Sequence, residues 1–212
     1  MGSQLEVFSD RPLCGGHALA MPGVLLIISG PSGVGKSTIC QRLVTRLDAF
    51  LSVSATTRRR RENEVDGQDY HFVSLGQFEQ GIEQGRFLEY AKAYGGQYYG
   101  TPAGPVLEAL NTGRVVILEI EIDGTLQVMR RFPDAVSVYV MAPTLEEQQD
   151  RLAGRRKTSA EAAEAIKERL SKADGEIRWA HECGAYRHFV VNADIEESVN
   201  AIVKIVEEKR AT

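Results

Sequence analysis

Residues 24–29, VLLIIS, are a short unbroken apolar run that ends at a glycine, the pattern of a parallel strand buried on both faces. From Lys36 to Leu47 the apolar positions change to helical spacing, with Ile39, Leu43, Val44 and Leu47 on one stripe. Two further strand-like runs, RVVILEIEI over 114–122 and AVSVYVM over 135–141, alternate with helical patterns, and residues 186–191 close the series. Strand, helix, strand repetition predicts an α/β fold: a central, mostly parallel sheet flanked by helices on both faces. Helix starts are marked where Thr144 precedes Glu147, Thr158 precedes Glu161 and Asp194 precedes Glu197, each pair spaced for a capping box. In the last helix Ile195, Val199, Ile202 and Val206 share one face and are assigned to the core.

Residues 54–101 interrupt this rhythm. They are rich in Arg, Tyr, Gly and Gln, with a short helical pattern at Leu75, Phe78 and Ile82 between strand-like pieces, and read as an inserted mixed α/β subdomain. A second polar interval, GRRKTSAEAAEA over 154–165, has the character of a helical lid, taken as residues 151–169. The core is then 21–53, 102–150 and 170–212. Residues 1–20 precede the first convincing strand and are expected to be a poorly ordered, non-essential extension.

Composition narrows the partners. The 212 residues carry 29 acidic and 25 basic side chains, so no basic field covers the surface and a general nucleic-acid binder is not expected. The three cysteines, Cys14, Cys40 and Cys183, lie far apart and fit neither a disulfide framework nor a zinc site, which points to a reducing cytoplasm. The four histidines make no ligand spacing with them, and no structural zinc is expected. No apolar run approaches the roughly 20 residues of a membrane span, and no signal peptide is evident.

The clearest chemistry is at 30–37, GPSGVGKS, which matches GxxxxGK[ST] between an apolar strand and a helix. Gly30, Gly33 and Gly35 let the backbone wrap closely, so residues Gly30, Pro31, Ser32, Gly33, Val34 and Gly35 through Lys36, Ser37 and Thr38 form the expected donor-nucleotide cradle, with every backbone N–H but that of Pro31 able to donate. Lys36 is placed to reach the β- and γ-phosphates, and the Ser37 hydroxyl to take a position on Mg²⁺. This loop implies ATP or GTP but leaves the acceptor open.

Four consecutive arginines, Arg58 to Arg61, stand in SATTRRRRENEVDGQDY and could be a basic patch, a solvated turn, or two working arginines with bystanders. Taken with GPSGVGKS, with FLEYAKAYGGQYYGT and with RLAGRR and IKERL, the chain resembles the guanylate kinase family along nearly its whole length after Met21. The family motif T-T-R-x-x-R-x-x-E-x-x-G-x-D-Y is met residue for residue from Thr56 to Tyr70. The resemblance implies a P-loop kinase that phosphorylates GMP, and also dGMP, with ATP and Mg²⁺. It makes 54–101 the GMP-binding subdomain.

The same resemblance implies that Arg58 and Arg61 hold the acceptor phosphate with the hydroxyls of Tyr70 and Tyr99, while Arg59 and Arg60 are solvated. Arginine forks match phosphate oxygens well. Glu89 in FLEY matches a base-reading glutamate, with Ser54 and Thr101 as hydroxyls on the base. A carboxylate can accept both the N1–H and the exocyclic amine of guanine, and such a site rejects a mismatched edge. Where the family commonly has Asp-x-Asp, this chain has Glu119 and Glu121, the first expected to serve Mg²⁺ through water and the second to contact GMP. Arg151, Arg155 and Arg169 are implied to close on the transferring group, with Arg155 also on ATP.

Competing readings are a non-enzymatic guanylate-kinase-like interaction module, against which the intact GPSGVGKS stands, and a kinase for a sugar phosphate, which would not need Glu89. The expected partners are GMP or dGMP and ATP, with no nucleic acid and no membrane, in a cytoplasmic monomer or small homo-oligomer.

Overall fold

A computed structural model describes residues 22–93, 95–154 and 175–211. The N-terminal extension, Cys14, His17, the Thr158–Glu161 cap, Arg155 and Arg169 lie outside the described residues.

The main sheet is built from β1 (Val24–Ser29), β2 (Phe50–Leu51), β7 (Val115–Glu119), β8 (Val136–Met141) and β9 (His188–Val191), all parallel in the order β2-β7-β1-β8-β9. All six residues of β1 are buried, and their alternation divides the core in two. Leu26 and Ile28 face α1 (Lys36–Leu47) and α7 (Ile195–Arg210), meeting Ile39, Leu43, Val199, Ile202 and Val206. Leu25 and Ile27 face the opposite layer, where α3 (Ala103–Asn111) and α4 (Ile122–Arg131) contribute Val106, Leu110 and Val128. A strand covered by helices on both sides has no solvent face, which is why VLLIIS shows no polar alternation. Parallel pairing needs crossover helices, and these supply both layers.

The helical and strand bounds follow local chemistry. α1 spans the predicted residues, and Asp194 caps α7 by accepting the Glu197 N–H at 2.9 Å. Thr144 accepts the Glu147 N–H at 3.1 Å at the start of α5 (Leu145–Gly154). The strand expected over 114–122 is shorter: β7 ends at Glu119 because Glu121 already serves as the N-cap of α4. The closing strand likewise begins at His188 rather than at Tyr186, whose side chain is buried instead against Tyr139. Helix α3 has no counterpart among the expected elements.

Residues 54–102 build a second sheet in the order β4-β3-β6-β5, from β3 (Ala55–Thr56), β4 (His71–Phe72), β5 (Phe87–Lys92) and β6 (Tyr98–Pro102). Its own small core joins Ala55, Phe78 and Phe87, with Phe78 on α2 (Leu75–Glu83). The Phe78 ring stacks on Phe87 at 4.4 Å and on Tyr98 at 5.2 Å between centroids. Ser74 and Gln77 close a reciprocal capping box that starts α2. A helical stretch over 175–182, α6, packs Ala180 beside Tyr139 and Tyr186.

Ile202 is fully buried where α7 meets the sheet. Ile202→Ala is expected to cost about 2–5 kcal/mol, read as a lowered urea midpoint with an unchanged slope.

Candidate active site

The loop between β1 and α1 is held in an unusual backbone shape. Gly30, Gly33 and Gly35 all have positive φ, and a Cβ on Gly30 would fall 2.1 Å from the carbonyl oxygen of Val140. Only glycine fits that approach. Gly35 is the N-cap of α1 and offers no side chain, so the first amides of the helix have no side-chain cap. An uncapped N-terminus with its positive dipole end is a ready anion site.

The loop carbonyls are satisfied from outside. Gln148 of α5, itself buried, donates from Nε2 to Ser32 O at 2.7 Å. The buried Asn192 donates from Nδ2 to Val34 O at 2.7 Å and accepts the Ser198 hydroxyl at 3.1 Å. Lys36 Nζ bridges Gly30 O at 2.6 Å and Pro31 O at 2.9 Å, folding back over the loop it follows. Burial pulls the Lys36 ammonium below the ordinary lysine value, and the charges of Glu119 and Glu121 oppose that fall.

At the end of β7, Glu119 accepts the Ser37 hydroxyl on Oε1 at 2.9 Å. Parallel pairing of β1 with β7 sets Glu119 opposite Ile28, two residues before the loop begins. Glu121, two residues beyond the strand, is exposed, and its charge acts on both Lys36 and Glu89. It therefore connects the loop electrostatically with the second sheet.

In the second sheet Arg58 is gripped from several sides. It donates from Nη2 to Glu64 Oε1 at 2.7 Å, from Nη1 to Glu64 Oε2 at 3.0 Å, and from Nε to the Tyr99 hydroxyl at 3.2 Å. Its guanidinium also lies over the rings of Tyr70 and Phe72, at 5.4 and 5.7 Å from their centroids. Glu64 further accepts the Arg61 amide at 2.8 Å, and these bonds, Arg58 first, hold its carboxyl down at about 2. Arg61 differs: its side chain is 69% exposed against 13% for Arg58, and only a 3.7 Å ion pair links it to Glu64. Arg59 and Arg60 are exposed. Tyr70 and Tyr99 meet edge to face at 5.8 Å, so both hydroxyl-bearing rings flank Arg58.

Glu89 on β5 is only 6% exposed and accepts the Thr101 hydroxyl at 2.6 Å across the β5–β6 pair. Burial pushes its carboxyl up to about 7, the Thr101 hydrogen bonds pull it back, and the charge of Glu121 adds to the rise. The chain thus carries a buried carboxyl group and a tethered arginine in the region of the second sheet, and a glycine-rich loop at the end of β1. That combination fits a phosphorylated purine facing a nucleoside triphosphate.

Comparison with known proteins decides the matter: the guanylate kinase family model matches residues 23–209. The chain belongs to the guanylate kinase family. It is 42% identical over 189 residues to the guanylate kinase of Clostridioides difficile strain 630, covering 89% of each chain. To the guanylate kinase of Lactococcus lactis it is 45% identical over 186 residues, covering 87% of each. The crystal structure of guanylate kinase from Anaplasma phagocytophilum superposes with a TM-score of 0.71 at 30% identity, covering 90% of this chain and 87% of that one. The enzyme is accordingly a phosphotransferase that moves the γ-phosphoryl group of ATP to GMP.

Among the residues named from sequence, the structure brings Ser37 to Glu119, Arg58 to Tyr99 and Tyr70, and Glu89 to Thr101. Ser54 immediately precedes β3, its carbonyl accepting the His71 N–H at 2.9 Å. Arg151 is engaged elsewhere: Nη2 donates to Asn192 O at 2.9 Å and to Glu147 Oε2 at 3.2 Å. That ion pair with Glu147, one turn back, lies on α5 itself. Residues missed from sequence are Glu64, Gln148 and Asn192. Glu64 had a visible signal, being the glutamate of the guanylate kinase motif, six positions after Arg58.

Because the Thr101 hydroxyl stabilises the charged form of Glu89, Thr101→Val is expected to raise the Glu89 titration midpoint above its value near 7. A pH titration of the glutamate carboxyl carbons by NMR reads this directly; an unchanged or lowered midpoint would remove the hydroxyl from the account.

Proposed function

We propose that the phosphate loop with Lys36 holds ATP, that Arg58, Arg61, Tyr70 and Tyr99 hold the acceptor phosphate, and that Glu89 with Ser54 and Thr101 reads guanine. dGMP is the second acceptor, since none of these contacts requires the 2′-hydroxyl. The observation that carries the reading is Glu89: a carboxylate buried and hydrogen-bonded at 2.6 Å, in the sheet that also presents Arg58. A buried acid with no role would be a costly feature to keep in the fold. Residues 54–101 then form the acceptor-binding subdomain on a core that carries the donor.

Phosphoryl transfer requires alignment and charge neutralisation more than covalent help. The acceptor oxygen belongs to an already anionic phosphate, so no general base is assigned. Arg58 is held by Glu64 and keeps one Nη2 N–H beyond the bonds to Glu64, Arg59 and Tyr99, so it acts as a fixed positive wall. Arg61, largely exposed, is the arm that can swing a complete fork onto the phosphate. Lys36 must exchange the Gly30 and Pro31 carbonyls for phosphate oxygens, a trade between acceptors with little change in burial.

The donor set at Ser37 and Glu119 suits magnesium, which prefers hard oxygen ligands. A hydroxyl that donates its proton to Glu119 keeps its lone pairs for the ion. Ser37 would hold Mg²⁺ directly and Glu119 would orient that hydroxyl and bond to water around the ion. Bound there, the ion would neutralise charge on the donor phosphates. Glu121, exposed between Lys36 and Glu89, is assigned to the acceptor nucleotide.

Two experiments test the assignment. Alanine at Arg58 or Arg61 is expected to raise the KM for GMP by roughly tenfold to a hundredfold, whereas alanine at exposed Arg59 or Arg60 changes it less than about threefold. Steady-state kinetics with ATP saturating provides the comparison, and equal effects at all four positions would return the run to a nonspecific basic patch. Glu89→Gln is expected to lower the preference for GMP over AMP by about 100-fold or more, through unpaired polar groups on a mismatched edge. A preference that survives this substitution would place base recognition elsewhere.

A further inference from the structure

Strand β5, which carries Glu89, is an outer strand of its sheet, so the backbone groups on its far side have no strand neighbour. Such an edge invites slippage unless something covers it. Here one stripe of α4 does so. Gln127 accepts the Tyr90 N–H on Oε1 at 3.2 Å and donates from Nε2 to Tyr90 O at 2.9 Å, so its amide takes both backbone groups of a single residue, as a neighbouring strand would. One turn on, Arg131 Nη1 donates to Leu88 O at 3.0 Å and Phe87 O at 3.1 Å. One turn back, Gly124 is buried, and a Cβ there would lie 2.6 Å from Glu89 Oε2. Positions 124, 127 and 131 recur at helical spacing and so share a face.

These contacts bracket Glu89. On one side Thr101 holds Oε1 at 2.6 Å, and on the other the bare Cα of Gly124 leaves room for Oε2. The backbone of the next residue, Tyr90, is pinned at both its N–H and its carbonyl by Gln127. The carboxylate therefore takes its position from a helix of the ATP-holding core as well as from its own sheet. Accepting two guanine protons at once requires both oxygens in place, whereas a base with N1–H alone needs one.

We propose that Gln127 is a specificity-positioning residue: by fixing Tyr90 against α4 it sets the Glu89 carboxylate to accept both guanine donors, and so sets the preference for GMP over IMP, which lacks the 2-amino group. The proposal rests on Glu89 as the base reader. Gln127 touches no substrate and acts through the strand. Displacing a recognition group by part of an ångström weakens the two-point contact more than the one-point contact, so the consequence is a change in selectivity.

The experiment compares GMP and IMP as acceptors for the parent enzyme, Gln127→Ala, Gln127→Glu and Glu89→Gln, with thermal unfolding recorded for each. Gln127→Ala is expected to lower the GMP-over-IMP ratio of kcat/KM by roughly tenfold while the KM for ATP stays within about twofold. Gln127→Glu keeps the acceptor for the Tyr90 N–H and loses the donor to Tyr90 O, and is expected to fall between parent and alanine variant. It also serves should the alanine variant not fold. A lowered Tm with an unaltered GMP-over-IMP ratio in either folded variant would overturn the proposal and leave Gln127 a purely structural clamp. If Glu89→Gln abolishes the preference and the Gln127 variants keep it, base reading by Glu89 stands and only the role of Gln127 falls. If Glu89→Gln keeps the preference, the reading of Glu89 itself fails, and the role of Gln127 fails with it.

Discussion

A loop that turns its amide hydrogens toward an anion must turn its carbonyls the other way, and buried carbonyls need donors. Around residues 30–35 this constraint organises the core. Ser32 O is met by Gln148 from α5, Val34 O by Asn192 after β9, and Gly30 O and Pro31 O by Lys36. The donors come from parts of the chain up to 158 residues away from the groups they satisfy. The loop is thus completed only when α5 and the turn after β9 are in place, which ties its shape to folding of the whole core. Arg151 extends the arrangement by bonding to Asn192 O, linking α5 to the turn that braces the loop.

Charge is placed with the same economy. Glu121 opposes the loss of the proton from buried Lys36 and also helps buried Glu89 keep its proton, because both effects follow from one exposed negative charge acting on two buried groups. At Glu64 the outcome is reversed: close hydrogen bonds from Arg58 and the Arg61 amide keep the carboxylate ionised. Two glutamates, Glu64 in the loop after β3 and Glu89 on β5, thereby stand at about 2 and about 7, the first anchoring a cation and the second buried against the Thr101 hydroxyl.

The parts legible in the sequence are those with a repeating signature or a fixed motif. VLLIIS, the α1 stripe, the caps at Thr144 and Asp194 and the glycine-rich turn between β1 and α1 all belong here. What stayed hidden are single side chains reaching remote backbone atoms: Gln148 on Ser32, Asn192 on Val34 and Gln127 on Tyr90. A glutamine on a helix looks the same in sequence whether it faces water or closes a strand edge. The end of β7 was misread for a related reason. LEIEI alternates as a strand should, but Glu121 adopts the extended backbone of an N-cap and the chain turns into α4 there. Exposure does not separate the arginine run by motif position, since Arg61 is exposed along with Arg59 and Arg60 and only Arg58 is tucked in.

The contact of Glu119 with the phosphate-loop helix follows from the parallel register of the sheet. Glu119 stands beside Ile28 in the parallel register, level with the last turn of β1 before the loop. Its side chain from that point reaches forward to the first turn of α1, where its oxygen lies 2.9 Å from the Ser37 hydroxyl. The direct contact gives the Ser37 hydroxyl a fixed orientation. Because a hydroxyl donating to a carboxylate presents its lone pairs away from that carboxylate, the direct contact turns the Ser37 lone pairs away from Glu119, in the first turn of a helix whose N-terminus has no side-chain cap.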